Sequence, residues 1–301
     1  MAKCYNGIMG LIVGDALGVP AEFKPRDTFR ITDMTGFGTY NQPPGTWSDD
    51  SSMTLATIAG IVLRKGVFPN EIMRNFKLWL TSAIYTPWGE VFDVGGATRR
   101  AIERYIDGEE PQNCGGNSRM DNGNGALMRI LPIALVTSNP AVILNVAHLT
   151  HAHWISDYAC LIYSEIVRSL MNGADKTGAV TNGIQRYLEQ INAIAGLAEY
   201  GRLPHIQNYS RDEIKSSGYV VDTLEAALWC FLTTESYREC VLAAVNLGED
   251  TDTVAAVAGG IAGIYYGSGG ENGIPDEWIA QIARKHWIRD LCTRFEKIIE
   301  R

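Results

Sequence analysis

The sequence predicts an all-α protein, a multi-helical bundle forming one domain over residues 1–301. Three observations lead to this reading. Apolar residues recur at helical spacing through most of the chain. Stretches of apolar–polar alternation, the mark of a half-buried strand, are scarce. Helix start and stop residues bracket the periodic runs, as at Ser48 and at Gly18-Val19-Pro20, and no linker, charge block or internal repeat divides the chain.

Taken in order, Tyr5–Leu17 is a helix with Ile8, Met9, Leu11, Ile12 and Leu17 at helical spacing, stopped by Gly18-Val19-Pro20. Residues 24–46 form a long polar loop containing Pro25, Pro43 and Pro44, and a loop of that length in a compact domain is often functional. Ser48 reads as an N-cap with Asp49 and Asp50 in the first turn, where the helix dipole favours negative charge. The helix it opens runs through Met53, Leu55, Ile58, Ile61, Val62 and Leu63. Helices are expected next over Asn70–Ser82 and Thr98–Tyr105. A glycine- and asparagine-rich stretch, Cys114–Asn124, leads into a helix at Ala126–Leu135. Pro140–Leu149, Ser156–Leu170, Val180–Ala195, Tyr219–Leu232, Tyr237–Asn246, Thr253–Tyr266 and Trp278–Ile299 complete the series. The longest apolar run, Val254–Tyr266, is too short to span a bilayer and reads as a buried helix. Its Gly259 and Gly263 would let a neighbouring helix approach closely.

Composition narrows the function. The hydrophobic fraction of 46% supports a sizeable core, and the formal net charge is −8. With no Lys/Arg run, a nucleic-acid backbone is not an expected partner. An acidic chain that binds an anion needs a local device, either metal ions or helix N-termini. The six cysteines, Cys4, Cys114, Cys160, Cys230, Cys240 and Cys292, are scattered without a C-x-x-C pair, as expected of reduced, mostly buried thiols in a cytoplasmic protein. The N-terminus carries no signal-peptide pattern and no membrane association is expected.

Two acidic clusters, Ser48-Asp49-Asp50-Ser51 and Asp250-Thr251-Asp252-Thr253, lie far apart in sequence, and each opens an apolar helical run. Each alone is accounted for as a well-capped helix start. Brought together, so many carboxylates repel one another unless a cation lies between them, and all-oxygen ligands suit a hard divalent ion. Two clusters supply ligands for a two-metal site, and so for a hydrolase acting on a phosphate- or sugar-bearing substrate. Asp15 and Glu22, in Gly14–Phe23, are each either a surface charge or a site acid. Asp93 precedes Gly95-Gly96 at a helix start, where close approach to a ligand and ordinary capping are both available explanations. Asp121-Asn122-Gly123-Asn124-Gly125 resembles an anion cradle but is not a P-loop, since no Gly-Lys-Ser/Thr follows, and a plain turn is the alternative. His148, His151 and His153 cluster at a helix junction without the spacing of a zinc site, which leaves His151 a capping or ligand-contacting role. Trp47, Trp88, Tyr219 and Trp229 are candidates to stack on a planar group, although Trp229 also fits the core.

Read together, four blocks resemble the ADP-ribosylglycohydrolase family over almost the whole chain. They are Gly14–Phe23, Gly45–Met53, Asn122–Arg129, and Asn246–Thr253 running on to Gly267. Within the family they look like the dinitrogenase reductase-activating glycohydrolase and ADP-ribosylarginine hydrolase type. The resemblance implies a central cleft holding two divalent cations, Mg²⁺ or Mn²⁺. It implies Ser48, Asp49 and Asp50 as ligands from one side and Asp250, Asp252 and Thr253 from the other. Glu22 and Asp93 are the implied catalytic acids. Ser118, Gly123, Asn124 and Gly125 would face the pyrophosphate, and His151 with Ser217-Gly218-Tyr219 the ribose and adenosine end. The implied reaction hydrolyses the glycosidic bond joining ADP-ribose to a modified side chain, with arginine preferred. The implied partner is an ADP-ribosylated protein or an ADP-ribose-containing small molecule.

Serine-linked or nucleobase-linked ADP-ribose and O-acetyl-ADP-ribose stay open, as do a two-metal phosphoesterase and a silent structural relative, against which the intact acids argue. Departures from the family pattern are small. Ser51 stands where threonine is usual and keeps the hydroxyl. Glu249 stands where glycine is usual and adds a charge, and His153 is an extra imidazole.

Overall fold

The computed structural model describes residues 2–195 and 199–300. Its helices run in the order α1 (Ala2–Gly18), α2 (Asp49–Arg64), α3 (Pro69–Ser82), α4 (Gly96–Ile106), α5 (Leu131–Val136), α6 (Pro140–Ala147) and α7 (Trp154–Met171). There follow α8 (Lys176–Ala195), α9 (Val220–Thr233), α10 (Tyr237–Val245), α11 (Thr251–Tyr266), α12 (Asp276–Gln281) and α13 (Lys285–Ile299). Short 3₁₀ turns join several of them, and among the described residues β-pairing is limited to isolated bridges. The all-α expectation holds.

The axis of the molecule is the antiparallel pair α1 and α11. Both are buried on every side, from Asn6 to Gly18 and from Thr251 to Ile264, as expected of helices apolar all round. Small residues bring the two backbones together. A Cβ on Gly10 would lie 2.3 Å from the Gly259 carbonyl oxygen, and one on Gly263 would lie 2.2 Å from that of Asn6. Tyr237 locks the pair by donating its hydroxyl to the Gly10 carbonyl at 2.6 Å. At the far end a Cβ on Gly18 would stand 2.3 Å from Asp252 Cα, and Thr251 Oγ1 donates to the Gly18 carbonyl at 2.8 Å. The close packing therefore sets the acids after the C-terminal end of α1 against those at the N-terminus of α11. The N-terminus of α2 joins them, so two helix N-termini direct their positive ends at one cluster of carboxylates.

Most expected helices appear with ends shifted by one to four residues. Two are divided. The helix expected over Ala126–Leu135 is a 3₁₀ turn, Leu127–Arg129, followed by α5, because Pro132 has no N–H to offer the Met128 carbonyl. The helix expected over Trp278–Ile299 is α12 and α13. The break lies at Ala283, whose N–H donates to the Gly45 carbonyl at 3.0 Å, and at Arg284, which takes φ 49°. A distant loop thus captures the backbone bond that would have continued the helix.

Candidate active site

Three helix beginnings and two loops build the site. Ser48 caps α2, its Oγ accepting from Asp50 N at 3.4 Å. Asp15, on α1, accounts for how that cap is held. Its Oδ1 accepts from Ser48 N at 2.8 Å, and its Oδ2 accepts from Ser51 N at 3.0 Å and Ser51 Oγ at 2.5 Å. Sequence reading left Asp15 open between surface charge and site acid; it is fully buried and anchors the start of α2. A carboxylate late in an otherwise apolar helix was the signal for it.

The predicted ligands converge. Ser48, Asp49, Asp50, Asp252 and Thr253 are buried, as is Glu22, while Asp93 and Asp250 are half-buried. Carboxylate oxygens fall into triads with mutual separations within 4.8 Å: Asp15, Asp50 and Asp252; Glu22, Asp93 and Asp252; and Asp49, Asp50 and Asp93. Hydrogen bonds use one oxygen of the key acids. Asp50 Oδ2 accepts from Ser48 Oγ at 3.0 Å and Thr253 Oγ1 at 3.3 Å, and Asp252 Oδ1 accepts from Thr253 N at 3.0 Å. The other oxygens, Asp50 Oδ1, Asp252 Oδ2 and Glu22 Oε2, are buried without any donor among the described residues. Buried anionic oxygens with no partner are costly. Such oxygens on acids that share carboxylate triads fit divalent cations, for which hard oxygen donors are the preferred set. Asp15, with both oxygens already engaged by Ser48 and Ser51, fits a buttress better than a ligand.

Burial first, and mutual repulsion second, raise the proton affinity of these acids. Asp49, Asp50 and Asp252 are pushed well above the ordinary carboxylate range. Burial raises Asp15 to about 6, against the pull of its Ser51 and Ser48 donors. Burial and then Asp93 raise Glu22 to about 9. Tyr40, which sequence reading missed, has its phenol held protonated by burial and by the Asp93 and Glu22 carboxylates beside it. Asp93 precedes α4 with φ 52°, a conformation rare outside glycine and typical of functional sites.

The cleft above the acids has a volume of about 290 Å³. Glu22, Asp49, Asp93, Asp250 and Thr253 line one end, and Gly123, Asn124, Gly125, His151 and Gly218 the other. Bridges from Gly123 to Tyr219 and from Gly116 to His151 hold the second wall. Asn124 ties the two ends together, its Nδ2 donating to Asp250 Oδ2 at 2.8 Å and to Thr223 Oγ1 at 2.9 Å. Three expected contacts lie outside the lining. Ser118 is exposed and bonded to Asp121, Ser217 Oγ donates to Asp222 Oδ2 at 2.6 Å, and the Tyr219 hydroxyl donates to Glu199 Oε2 at 2.6 Å.

The histidines divide their tasks. His148 pairs with Asp157 at 2.7 Å, His153 caps α7, and only His151 lines the cleft. Among the described residues no metal-capable cluster includes a histidine. The glycine position filled by Glu249 is explained by its backbone, since Glu249 takes φ 61° and exchanges hydrogen bonds with Phe23 and Lys24. Its side chain is exposed and outside the lining, so it adds no wall to the cleft. Of the candidate aromatics, Trp47 is buried, Trp229 bonds to the Tyr209 carbonyl, and only Trp88 is widely exposed.

Fold and site together define a multi-helical protein with a cleft beside converging buried carboxylates. Comparison with known proteins gives the family. The family model for ADP-ribosylglycohydrolase matches residues 1–301. The ADP-ribosylarginine hydrolase Tri1 of Pseudomonas putida (strain GB-1) is 34% identical over 297 residues, covering 96% of this chain and 76% of that protein. The ADP-ribosyl-dinitrogen reductase glycohydrolase of Rhodospirillum rubrum is 33% identical, covering 94% of this chain and 91% of that protein. A solved structure described as an ADP-ribosylglycohydrolase-related protein complex superposes with a TM-score of 0.82 at 30% identity, covering 99% of this chain and 98% of that one. The chain belongs to the ADP-ribosylglycohydrolase family and is a glycohydrolase enzyme.

Proposed function

We propose that this protein removes ADP-ribose from arginine side chains by hydrolysing the N-glycosidic bond, with two divalent cations, Mg²⁺ or Mn²⁺, held by Ser48, Asp49, Asp50, Asp250, Asp252 and Thr253. The observation that carries the reading is the set of buried oxygens without a donor among the described residues on Glu22, which lines the cleft, and on Asp50 and Asp252, which share carboxylate triads with the lining acids, in a cleft that also presents a glycine cradle. The arginine linkage is supported by the 34% identical relative, an ADP-ribosylarginine hydrolase.

When bound, the cations would supply positive charge that orients ribose hydroxyls and a water at the acid end. Asp93 takes the proton of that water as its oxygen attacks C1″. Glu22 gives a proton to the departing nitrogen as the C1″–N bond breaks. Gly123 and Gly125 receive the diphosphate through backbone N–H groups, and Asn124, its own N–H given to the Gly218 carbonyl at 3.1 Å, holds the cradle's shape beside them. His151 and Gly218 follow toward the adenosine, with Ser217, Tyr219 and Ser118 at the outer rim. The whole chain serves this one cleft as a single domain, supported by a continuous hydrophobic core.

The partner is accordingly an ADP-ribosylated protein. The six cysteines are buried and unbridged, which supports a reducing, cytoplasmic setting. No helix of the described residues is long and apolar enough to cross a membrane.

Calorimetric titration of Mg²⁺ and Mn²⁺ into metal-free protein tests the ion site, and parallel turnover of arginine-linked and serine-linked ADP-ribose tests the linkage. Two ions bound, and faster release from arginine, are expected. Absence of ion binding, or preference for serine, would overturn the corresponding half of the reading.

A further inference from the structure

Arg129 is fully buried, and its guanidinium meets no carboxylate among the described residues. It lies over the Phe76 ring, 4.7 Å from the centroid. It donates to the carbonyls of Val146 (3.3 and 3.2 Å) and Ala147 (3.4 Å) and to Thr150 Oγ1 at 2.7 Å. Thr150 is also fully buried, and its hydroxyl stands 2.9 Å from His151 Nδ1. His151 carries the chain into the cleft, where its ring packs beside two glycines. A Cβ on Gly123 would lie 3.5 Å from Nε2, and one on Gly125 would lie 2.8 Å from Cε1.

Donor bookkeeping then decides which ring nitrogen bears the proton. A guanidinium only donates, so Thr150 Oγ1 accepts from Arg129. The threonine has a single proton, and among the described residues the one remaining partner in reach is His151 Nδ1. Were Nδ1 protonated instead, it would donate to the same oxygen and leave the buried hydroxyl proton without an acceptor, which burial penalises. We propose that Arg129 and Thr150 are positioning residues that fix His151 as the Nε2–H tautomer, so that the cleft offers a neutral N–H donor to an oxygen of a diphosphate-bearing ligand. The other tautomer would turn a lone pair toward that oxygen. Burial, and then the charge of Arg129, push His151 down to about 3, so the ring stays neutral. The identity of the ligand rests on the function proposed above; the tautomer does not.

The test is ¹⁵N NMR of histidine-labelled protein, with His151 assigned from its absence in His151→Gln, together with calorimetric titration of ADP-ribose. The expected result is Nε2–H in the free wild-type enzyme between pH 6 and 8. Thr150→Val should lose that tautomer preference and bind ADP-ribose about tenfold more weakly, the loss of one hydrogen bond to a charged group. Thr150→Ser should restore both, which a mere packing role would not require. His151→Gln, whose amide N–H extends toward the position of Nε2, should keep more affinity than His151→Asn. Nδ1–H in the wild type, or an unchanged tautomer and affinity in Thr150→Val, would overturn the proposal. If Thr150→Val fails to fold, the wild-type tautomer and Thr150→Ser still decide it. Failure of the wild type to bind ADP-ribose would instead overturn the ligand assigned to the cleft, while the free-enzyme spectrum still decides the relay.

Discussion

A carboxylate in the last turn of a helix sits at the wrong end of the dipole, yet Asp15 is held there by three donors from the start of α2. Asp50, Asp252 and Glu22 are in the opposite condition, each with one buried oxygen short of a donor among the described residues. The difference separates supporting groups from reacting ones. Asp93 lines the cleft beside Glu22 and Tyr40 and is the proposed general base. Asp93→Ala should lower turnover by about 10²- to 10⁴-fold while ADP-ribose affinity, read by calorimetry, stays near wild type; an undiminished rate would remove Asp93 from the reaction. Asp252→Asn separates stability from function in another way. It relieves repulsion in the metal-free protein and should raise its stability by about 1 kcal/mol in urea denaturation while weakening ion binding. A variant that is destabilised and still binds ions would contradict the assignment. Much of this floor was legible in the sequence, because paired aspartates at two helix starts have few purposes other than capping or metal binding. Tyr40 and the Arg129–Thr150–His151 chain were not legible. Their roles depend on neighbours that only tertiary packing supplies, and nothing in the spacing of a lone tyrosine or arginine announces them.

At the scale of elements, the site exists because α1 and α11 approach through glycines. Gly259 and Gly263 announced that contact in the sequence, but Gly10 as the facing residue did not, since a glycine in a helix carries no label for its partner. Gly10→Ala would force a Cβ to 2.3 Å from the Gly259 carbonyl oxygen. The backbones must part, and a loss of about 3 kcal/mol is expected from overpacking, measured by denaturant unfolding. A change of a few tenths would mean that the pair is not closely packed. The start of α2 was readable because capping is local: Ser48 caps it as its side chain predicted, whereas other starts, such as that of α8 at Lys176 and not Val180, were placed up to four residues off. The break between α12 and α13 was not readable. It depends on the Gly45 carbonyl, more than two hundred residues earlier in the chain, capturing the Ala283 N–H.

For the whole molecule, folding concentrates negative charge in its centre, and stability should record this. In the metal-free protein Asp15 is raised to about 6 and Glu22 to about 9, with Asp49, Asp50 and Asp252 also raised. A folded-state pKa above the unfolded value means that the native state holds more protons over the interval between them. Stability from these groups is therefore fully present below their unfolded values near 4 and is lost as pH rises toward about 9. Thermal melts of EDTA-treated protein should show a midpoint falling across that window, and added Mg²⁺ or Mn²⁺ should flatten the slope by ion binding to the native state. A midpoint that rises steadily with pH without metal would contradict the picture of acids confined without partners.

The most direct test of the central claim is release of free ADP-ribose from ADP-ribosyl-arginine protein, followed by mass spectrometry with Mg²⁺, Mn²⁺ or EDTA. Release with either ion and none with EDTA is the predicted result. Equal release in EDTA would contradict the metal centre, and no release with any ion would contradict the arginine linkage.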